Sequence, residues 1–272
     1  MTVGQLVGRG NTAEVFQWGE NEVFKLFFET TPVKDIEREF EISRLIHQLK
    51  IPSPNVSEII EYQNRIGIIY EKVNGNSFTQ QLSAKPYLLK RNGRYFAELQ
   101  ASFHEKSSDE LPSQKAYISR NISGTDLLTQ QEKDLIINYL SRLPEGNKIC
   151  HGDYHTDNII LANGSAKILD WMTGTVGNPC GDVARTLIIM RYAFLPPTMP
   201  RTTKLLIQVF RNLFTKFYIN SYMKLTSTSI EDIEKWQLPV MAARLIEGIP
   251  KPEKEILLKI IRNSLKESHS LK

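Results

Sequence analysis

The chain has 272 residues, 41% of them hydrophobic, and a formal net charge of +4. That length suits two lobes around a cleft, and a core of that size needs neither a metal nor a disulfide staple. Mixed charge without a basic block interleaved with aromatics argues against nucleic acid, and no apolar run is long enough to span a bilayer. The two cysteines, Cys150 and Cys180, are too few for a secreted disulfide scaffold and read as buried thiols in a reducing compartment. The N-terminus lacks a charged region followed by an apolar signal core, so the expected location is the cytoplasm.

The first seventy residues carry strand and turn signals. Residues 3–8 read as a short strand, and Gly8 and Gly10 form a loop. Residues 13–18 alternate, Gly19-Glu20-Asn21 turns, and residues 22–28 make a second strand, which together predict a hairpin. Residues 34–49 read as an amphipathic helix that Pro52 and Pro54 stop. Residues 65–70 form an apolar strand and residues 71–75 a connector. From residue 77 onward helices dominate: 87–104, 129–143, 182–192, 202–222, 230–247 and 252–266, with strand and loop over 148–170. A mainly β part followed by a mainly α part is an α+β arrangement, and the joint between them is a natural place for a ligand.

The most informative stretch is His151-Gly-Asp-Tyr-His-Thr-Asp-Asn158, followed by Ile-Ile-Leu, Asn163-Gly164 and Ala-Lys-Ile-Leu-Asp170-Trp. Two short apolar strands flank Asn163-Gly164, which suits a two-residue turn at positive φ. Folding back there brings the Asn158 end of one strand beside the Asp170 end of the other. In ideal register Asp170 faces Asp157, with Asn158 one step away, so a bulge or frayed end must bring Asn158 to Asp170. An acid and an amide offer hard oxygen ligands for magnesium held jointly with phosphate. Asp153, across a turn from Asn158, is placed for a base that orients a substrate hydroxyl.

These residues resemble the aminoglycoside phosphotransferase and choline kinase-like family, which is related to the protein kinases. The resemblance covers most of the chain. His151-Gly-Asp153 stands where protein kinases have His-Arg-Asp, and the Asp-x-x-x-x-Asn spacing is kept. Asp170 matches the metal-binding Asp of Asp-Phe-Gly, with Trp171 and Met172 in place of Phe and Gly. Gly181-Asp182-Val-Ala-Arg185 is similar to the segment whose Asp braces the catalytic loop. Gly8-Arg-Gly10-Asn11-Thr-Ala13-Glu-Val15 resembles the phosphate loop, with Ala13 at the third Gly position. Lys25 resembles the lysine on the α- and β-phosphates. Its partner is expected among Glu37, Glu39 and Glu41; Glu39 fits the family's helix best, and helical spacing puts it on the side away from the other two.

The resemblance implies a two-lobed protein kinase-like fold, with an N-lobe over 1–70, a hinge over 71–76 and a C-lobe over 77–272. Glu71 and Val73 would offer backbone groups to the adenine ring. The implied activity is transfer of the γ-phosphoryl group of ATP (or GTP), with Mg2+, to a small-molecule hydroxyl acceptor such as an aminoglycoside, sugar or amino alcohol. Asp153 would be the base, Asn158 and Asp170 the metal ligands, and Gly8, Gly10, Asn11, Lys25 and Glu39 would serve the nucleotide. Residues 171–181 are too short for a protein-kinase activation segment and contain no Ala-Pro-Glu-like anchor. The expected assembly is a monomer or weak dimer, without nucleic acid or membrane partners.

Overall fold

The structure is a computed structural model and describes residues 3–10, 12–162, 164–196 and 198–269. In chain order it builds β1 (Leu6–Arg9), β2 (Ala13–Trp18), β3 (Glu22–Phe27), α1 (Val33–Gln48), β4 (Val56–Tyr62), β5 (Arg65–Glu71), β6 (Asn76–Ser77) and α2 (Phe78–Ala84). Then follow α3 (Leu89–His104), α4 (Gln114–Gly124), α5 (Gln130–Arg142), β7 (Lys148–Cys150), β8 (Ile159–Ala162), β9 (Ser165–Ile168) and β10 (Thr175–Gly177). The last helices are α6 (Pro179–Tyr192), α7 (Arg201–Thr226), α8 (Ile230–Glu234), α9 (Gln237–Arg244) and α10 (Lys251–His269). The α+β expectation holds. No helix among the described residues is long and apolar enough to cross a membrane.

The chain forms two compact units: residues up to Ala84 with Thr156–Gly174, and Lys85–His155 with residues from Thr175 onward. Strand pairing is the reason for the later segment's place in the first unit. Asn76 and Ser77 of β6 pair with Leu161 and Ile160 of β8, and β8 pairs with β9, so the 156–174 segment is sewn to the first unit.

The first unit is an antiparallel sheet of order β1-β2-β3-β5-β4, with α1 against it. Alternation along β3 sorts its side chains. Phe24 and Leu26 join Trp18 and Ile69 in one cluster, while Phe27 joins Ala13, Ile36 of α1, Val56 and Ile68 in another. Lys25 has the parity of Phe27 and therefore shares the α1 face. Strand β4 is an addition to the sequence reading; its mostly exposed or half-buried residues give little apolar signal at a sheet edge.

The second unit is mainly helical. Phe96 of α3 packs its ring against Tyr154, Phe214 and Tyr218 at centroid distances of 4.4, 5.5 and 5.1 Å. The helix expected over 230–247 is two, α8 and α9, joined through buried Trp236. Pro239 lies in the first turn of α9, where its missing N–H costs least, and that position marks a new start. Helices α2 and α4 were not foreseen. The α4 start has its own signal, Ser113, whose side chain accepts the Ala116 N–H.

Candidate functional site

In the first unit Lys25 lies centrally, opposite Val15 on one side and Ile68 on the other. A lysine in so apolar a strand needs a buried partner. Glu39 supplies it: Lys25 Nζ donates to Glu39 Oε1 at 2.6 Å. The Glu39 side chain is 1% exposed. Glu37 and Glu41 are exposed, and Glu41 pairs with Arg44 at 2.8 Å. Tyr70 Oη also donates to Glu39 Oε1, at 2.9 Å. Lys25 Nζ reaches Asp170 Oδ1 at 3.3 Å as well. Burial alone would lower the Lys25 pKa, but Glu39 and Asp170 outweigh it and hold the ammonium above its ordinary value. The amine is therefore charged at neutral pH.

The β8–β9 ladder runs from Ala162↔Ser165 to Ile159↔Ile168, the register of a two-residue turn. Gly164 has φ 81°, as such a turn requires; Asn163 lies outside the described residues. The ladder ends with the Leu169 N–H donating to the Asn158 carbonyl at 2.8 Å. Beyond it both strands leave the regular path. Thr156–Asn158 is a 3₁₀ turn, and Asp170 takes φ 60°, ψ 62°. Aspartate is among the few non-glycine residues that tolerate this left-handed conformation, which is common where function sets the backbone. The Asp170 side chain is 45% exposed, so it keeps oxygen available beyond its contact with Lys25.

The Gly8–Val15 loop joins β1 to β2, not a strand to a helix. A Cβ on Gly8 would meet nothing within 4 Å, and one on Gly10 only the Ala13 carbonyl at 3.8 Å. Packing within the protein therefore does not require glycine at either position. Asn11 lies outside the described residues. Ala13 is a buried core residue of β2, so the third position of the motif belongs to the sheet. Glu71 ends β5, and its Oε2 accepts the Asn55 N–H at 3.0 Å and Lys167 Nζ at 3.1 Å. Its side chain thus fastens the end of β5 to β9; Val73 follows in the connector, half-buried.

The second unit holds Asp153. Gly152 has φ 77°, and its N–H donates to Asp182 Oδ1 at 2.6 Å. Asp182 comes from the first turns of α6, which Asn178 caps by accepting the Cys180 N–H while Pro179 occupies the first turn. Asp182 Oδ2 takes two more donors at 3.0 Å, Gln100 Nε2 and His104 Nε2. An ionised carboxylate can only accept, so His104 Nε2–H donates to it, while His104 Nδ1 lies 2.6 Å from the Tyr222 hydroxyl. Burial would raise the Asp182 carboxyl, but the bond and charge of His104, then His151 and the Gly152 N–H, hold it below the usual range.

That shift gives a testable sign. A depressed carboxylate contributes stability that is present above its ordinary pKa, about 3.9, and lost as pH falls through its folded value. Asp182→Asn turns an amide toward donors. It should cost on the order of 3 kcal/mol at neutral pH. In thermal melts the variant should lie several degrees lower at pH 7 and lack part of the wild-type acid-induced drop. An identical midpoint and pH slope would contradict the bracing role.

Asp153 itself lies at the rim of this network, its side chain 30% exposed. His151 Nδ1 accepts the Asp153 N–H at 3.1 Å, which fixes the loop locally. His155 Nε2 sits 3.4 Å from Asp153 Oδ2, and Arg185 Nη2 donates to Oδ1 at 3.2 Å. Burial would raise the Asp153 carboxyl, yet His155 and Arg185 hold it far below the ordinary carboxylate range. It is ionised at neutral pH. The partnership of Arg185 with Glu247, 2.5 Å apart, could not be read from the sequence, because Arg185 lies on α6 and Glu247 just after α9, with no motif linking them.

Among the described residues no group of three or more His, Cys, Asp or Glu could hold a metal by itself. Magnesium carried by phosphate needs only one or two protein oxygens, and the exposed carboxylate of Asp170 beyond the Asn158 end of the ladder fits that demand.

The sequence profile described as the phosphotransferase enzyme family matches residues 3–203. No curated protein sequence matches the chain. Among solved structures, a thermostable mutant of aminoglycoside phosphotransferase APH(4)-Ia, apo form, superposes with TM-score 0.67 at 14% identity, over 98% of this chain and 96% of its own. A choline/ethanolamine kinase family protein from Mesorhizobium loti gives 0.61 at 12% identity, over 95% and 86%. The GDP and kanamycin complex of APH(2")-IIia gives 0.55 at 14% identity, over 100% and 95%. These likenesses establish a protein kinase-like fold of the aminoglycoside kinase type, and the profile match over most of the chain places it in the phosphotransferase enzyme family.

Proposed function

We propose that the chain is a small-molecule kinase that transfers the γ-phosphoryl group of ATP, or GTP, to a hydroxyl of an aminoglycoside, sugar or amino alcohol. The observation that carries this reading is the charged Lys25 ammonium held between Glu39 at 2.6 Å and Asp170 at 3.3 Å. Such a lysine is fixed in place and has donors to offer phosphate oxygens. The open space beside Gly8 and Gly10 leaves room for a phosphate close to the loop backbone, with the Gly10 N–H itself holding the loop through the Ala13 carbonyl at 2.9 Å. Asn11 is assigned to the same loop, and the backbone of Glu71 and Val73 to the nucleotide base.

Asp170 and Asn158 would hold magnesium, which when bound supplies positive charge to the phosphates. Asp153 accepts the acceptor's hydroxyl proton. The acceptor oxygen forms its bond to the γ-phosphorus as the bond to the bridging oxygen breaks, and the nucleoside diphosphate leaves with that electron pair. Ionisation of Asp153 suits a group that orients and receives a proton late, because a loose transition state needs little early base strength. The solved relatives include complexes with ADP and hygromycin B and with streptomycin and ATP, which supports the substrate classes named. A cytoplasmic monomer or weak dimer is the matching assembly.

A coupled ADP-release screen tests the reading. Aminoglycosides, amino alcohols, sugars and a peptide substrate are offered with ATP or GTP and magnesium. Turnover with at least one small hydroxyl compound is expected. Efficient phosphorylation of the peptide alone would reassign the chain to protein substrates.

A further inference from the structure

Around Asp153 the second unit contains an alternating row of charges that phosphoryl transfer does not by itself require. Arg185 lies one helical turn after Asp182 on α6, so the residue that braces Gly152 and the residue that touches Asp153 share a face. The guanidinium spends its fork on Glu247, with Nη1 to Oε1 at 2.5 Å and Nη2 to Oε2 at 2.9 Å. Only one longer contact, 3.2 Å from Nη2, goes to Asp153 Oδ1. Glu247 is itself held by Arg244 Nη1 at 2.9 Å. Arg244 in turn donates from Nε and Nη2 to Glu253 Oε1 at 2.9 and 2.8 Å, and Glu253 accepts the Phe194 N–H at 3.2 Å. Arg185, Arg244 and Glu253 are all buried.

Buried ion pairs are a poor route to stability, since apolar residues of similar volume usually do as well. What the row does provide is orientation. A planar fork matched to one carboxylate is not free to match another. We infer that Arg185 and Glu247 are a positioning pair for Asp153: Glu247 holds the guanidinium in one-point contact, which aligns the base yet leaves its oxygens able to receive a hydroxyl proton. Without Glu247 the fork can close on both oxygens of Asp153 and lock it. Without Arg185 the carboxylate loses the contact on Oδ1, while His155 stays beside Oδ2. The inference rests on the reading of Asp153 as the base.

The test uses the full chain with MgATP, water serving as acceptor, and ADP release as readout. Arg185→Gln and Glu247→Gln should each lower kcat about 10-fold or more, the scale of a small misplacement of a catalytic group. KM for MgATP should move less than about 3-fold, because the nucleotide residues lie elsewhere. The paired variant Arg185→Gln/Glu247→Gln should be no slower than Arg185→Gln alone, since Glu247 acts through Arg185. In Arg185→Gln the acid limb of the kcat profile should move to higher pH, while a merely structural residue would lower stability without moving that limb. Should a single variant fail to fold, Arg185→Lys and the paired variant decide, as neither leaves a lone buried charge. Arg185→Lys keeps the charge, loses the fork, and should be slowed with its acid limb in place. Wild-type kcat and pH profile in both would overturn the inference. Asp153→Asn separates the two readings: undiminished turnover there overturns the base assignment itself, whereas a dead Asp153→Asn beside unaffected Arg185 variants overturns only the positioning pair.

Discussion

Asp153→Asn is expected to lower kcat by about 1000-fold or more while nucleotide affinity stays within a few-fold of wild type. General-base contributions of about 100- to 10,000-fold set the scale. The substitution keeps the shape of the side chain and an oxygen facing Arg185, and removes the charge that receives the proton. It should spare the fold, because the loop hangs on Asp182 through the Gly152 N–H at 2.6 Å, and Asp182 is buried where Asp153 is 30% exposed. Steady-state kinetics and a nucleotide titration on the same preparation check both halves. Loss of nucleotide binding along with turnover would mean that the loop, not the chemistry, had been damaged.

Asp170→Asn is the second large effect expected, again a fall of about 1000-fold in turnover, this time with loss of the magnesium-linked part of nucleotide affinity. Asparagine is the informative choice. The backbone at residue 170 has φ 60°, which asparagine tolerates and alanine does not tolerate well. Lys25 keeps Glu39 at 2.6 Å, so the first unit retains its buried pair. Lys25→Ala would be a poorer probe: it strands Glu39, 1% exposed, and breaking such a pair costs about 3–5 kcal/mol. In Asp170→Asn, affinity for ADP in the presence of EDTA should match wild type, and affinity with excess magnesium should not. Equal magnesium dependence in both proteins would remove Asp170 from the metal.

How far the sequence could be read follows from where each determinant lies. The β8–β9 hairpin was legible because its register is local: the strands flanking Asn163-Gly164 pair as a two-residue turn demands, through Ile159↔Ile168. The step from that register to a site was not, because it depends on the 3₁₀ turn at Thr156–Asn158 and the left-handed Asp170, neither of which has an apolar period. The partner of Lys25 was narrowed to three glutamates. What separates them is the buried face Ile36, Glu39, Ile42, Ser43, Leu45 and Ile46 of α1, which includes one acid among mostly apolar positions. Reading Glu39 as part of the core face, and not as an interruption of it, would have singled it out. The division of α8 from α9 had its sign in Pro239. The Arg185–Glu247 and Arg244–Glu253 pairs had none, since they join separate segments, although Arg244 and Glu247 between them stand at i,i+3 spacing.

Phosphorus NMR of the wild-type protein with ATP, magnesium and a panel of aminoglycosides, amino alcohols and sugars tests the central claim most directly. The account predicts that the γ-phosphate signal gives way to a phosphomonoester signal equal in amount to the ADP formed, only with magnesium present, and that Asp153→Asn abolishes it. Saturable nucleotide binding with no phosphomonoester from any acceptor would contradict it and make the chain a nucleotide-binding module.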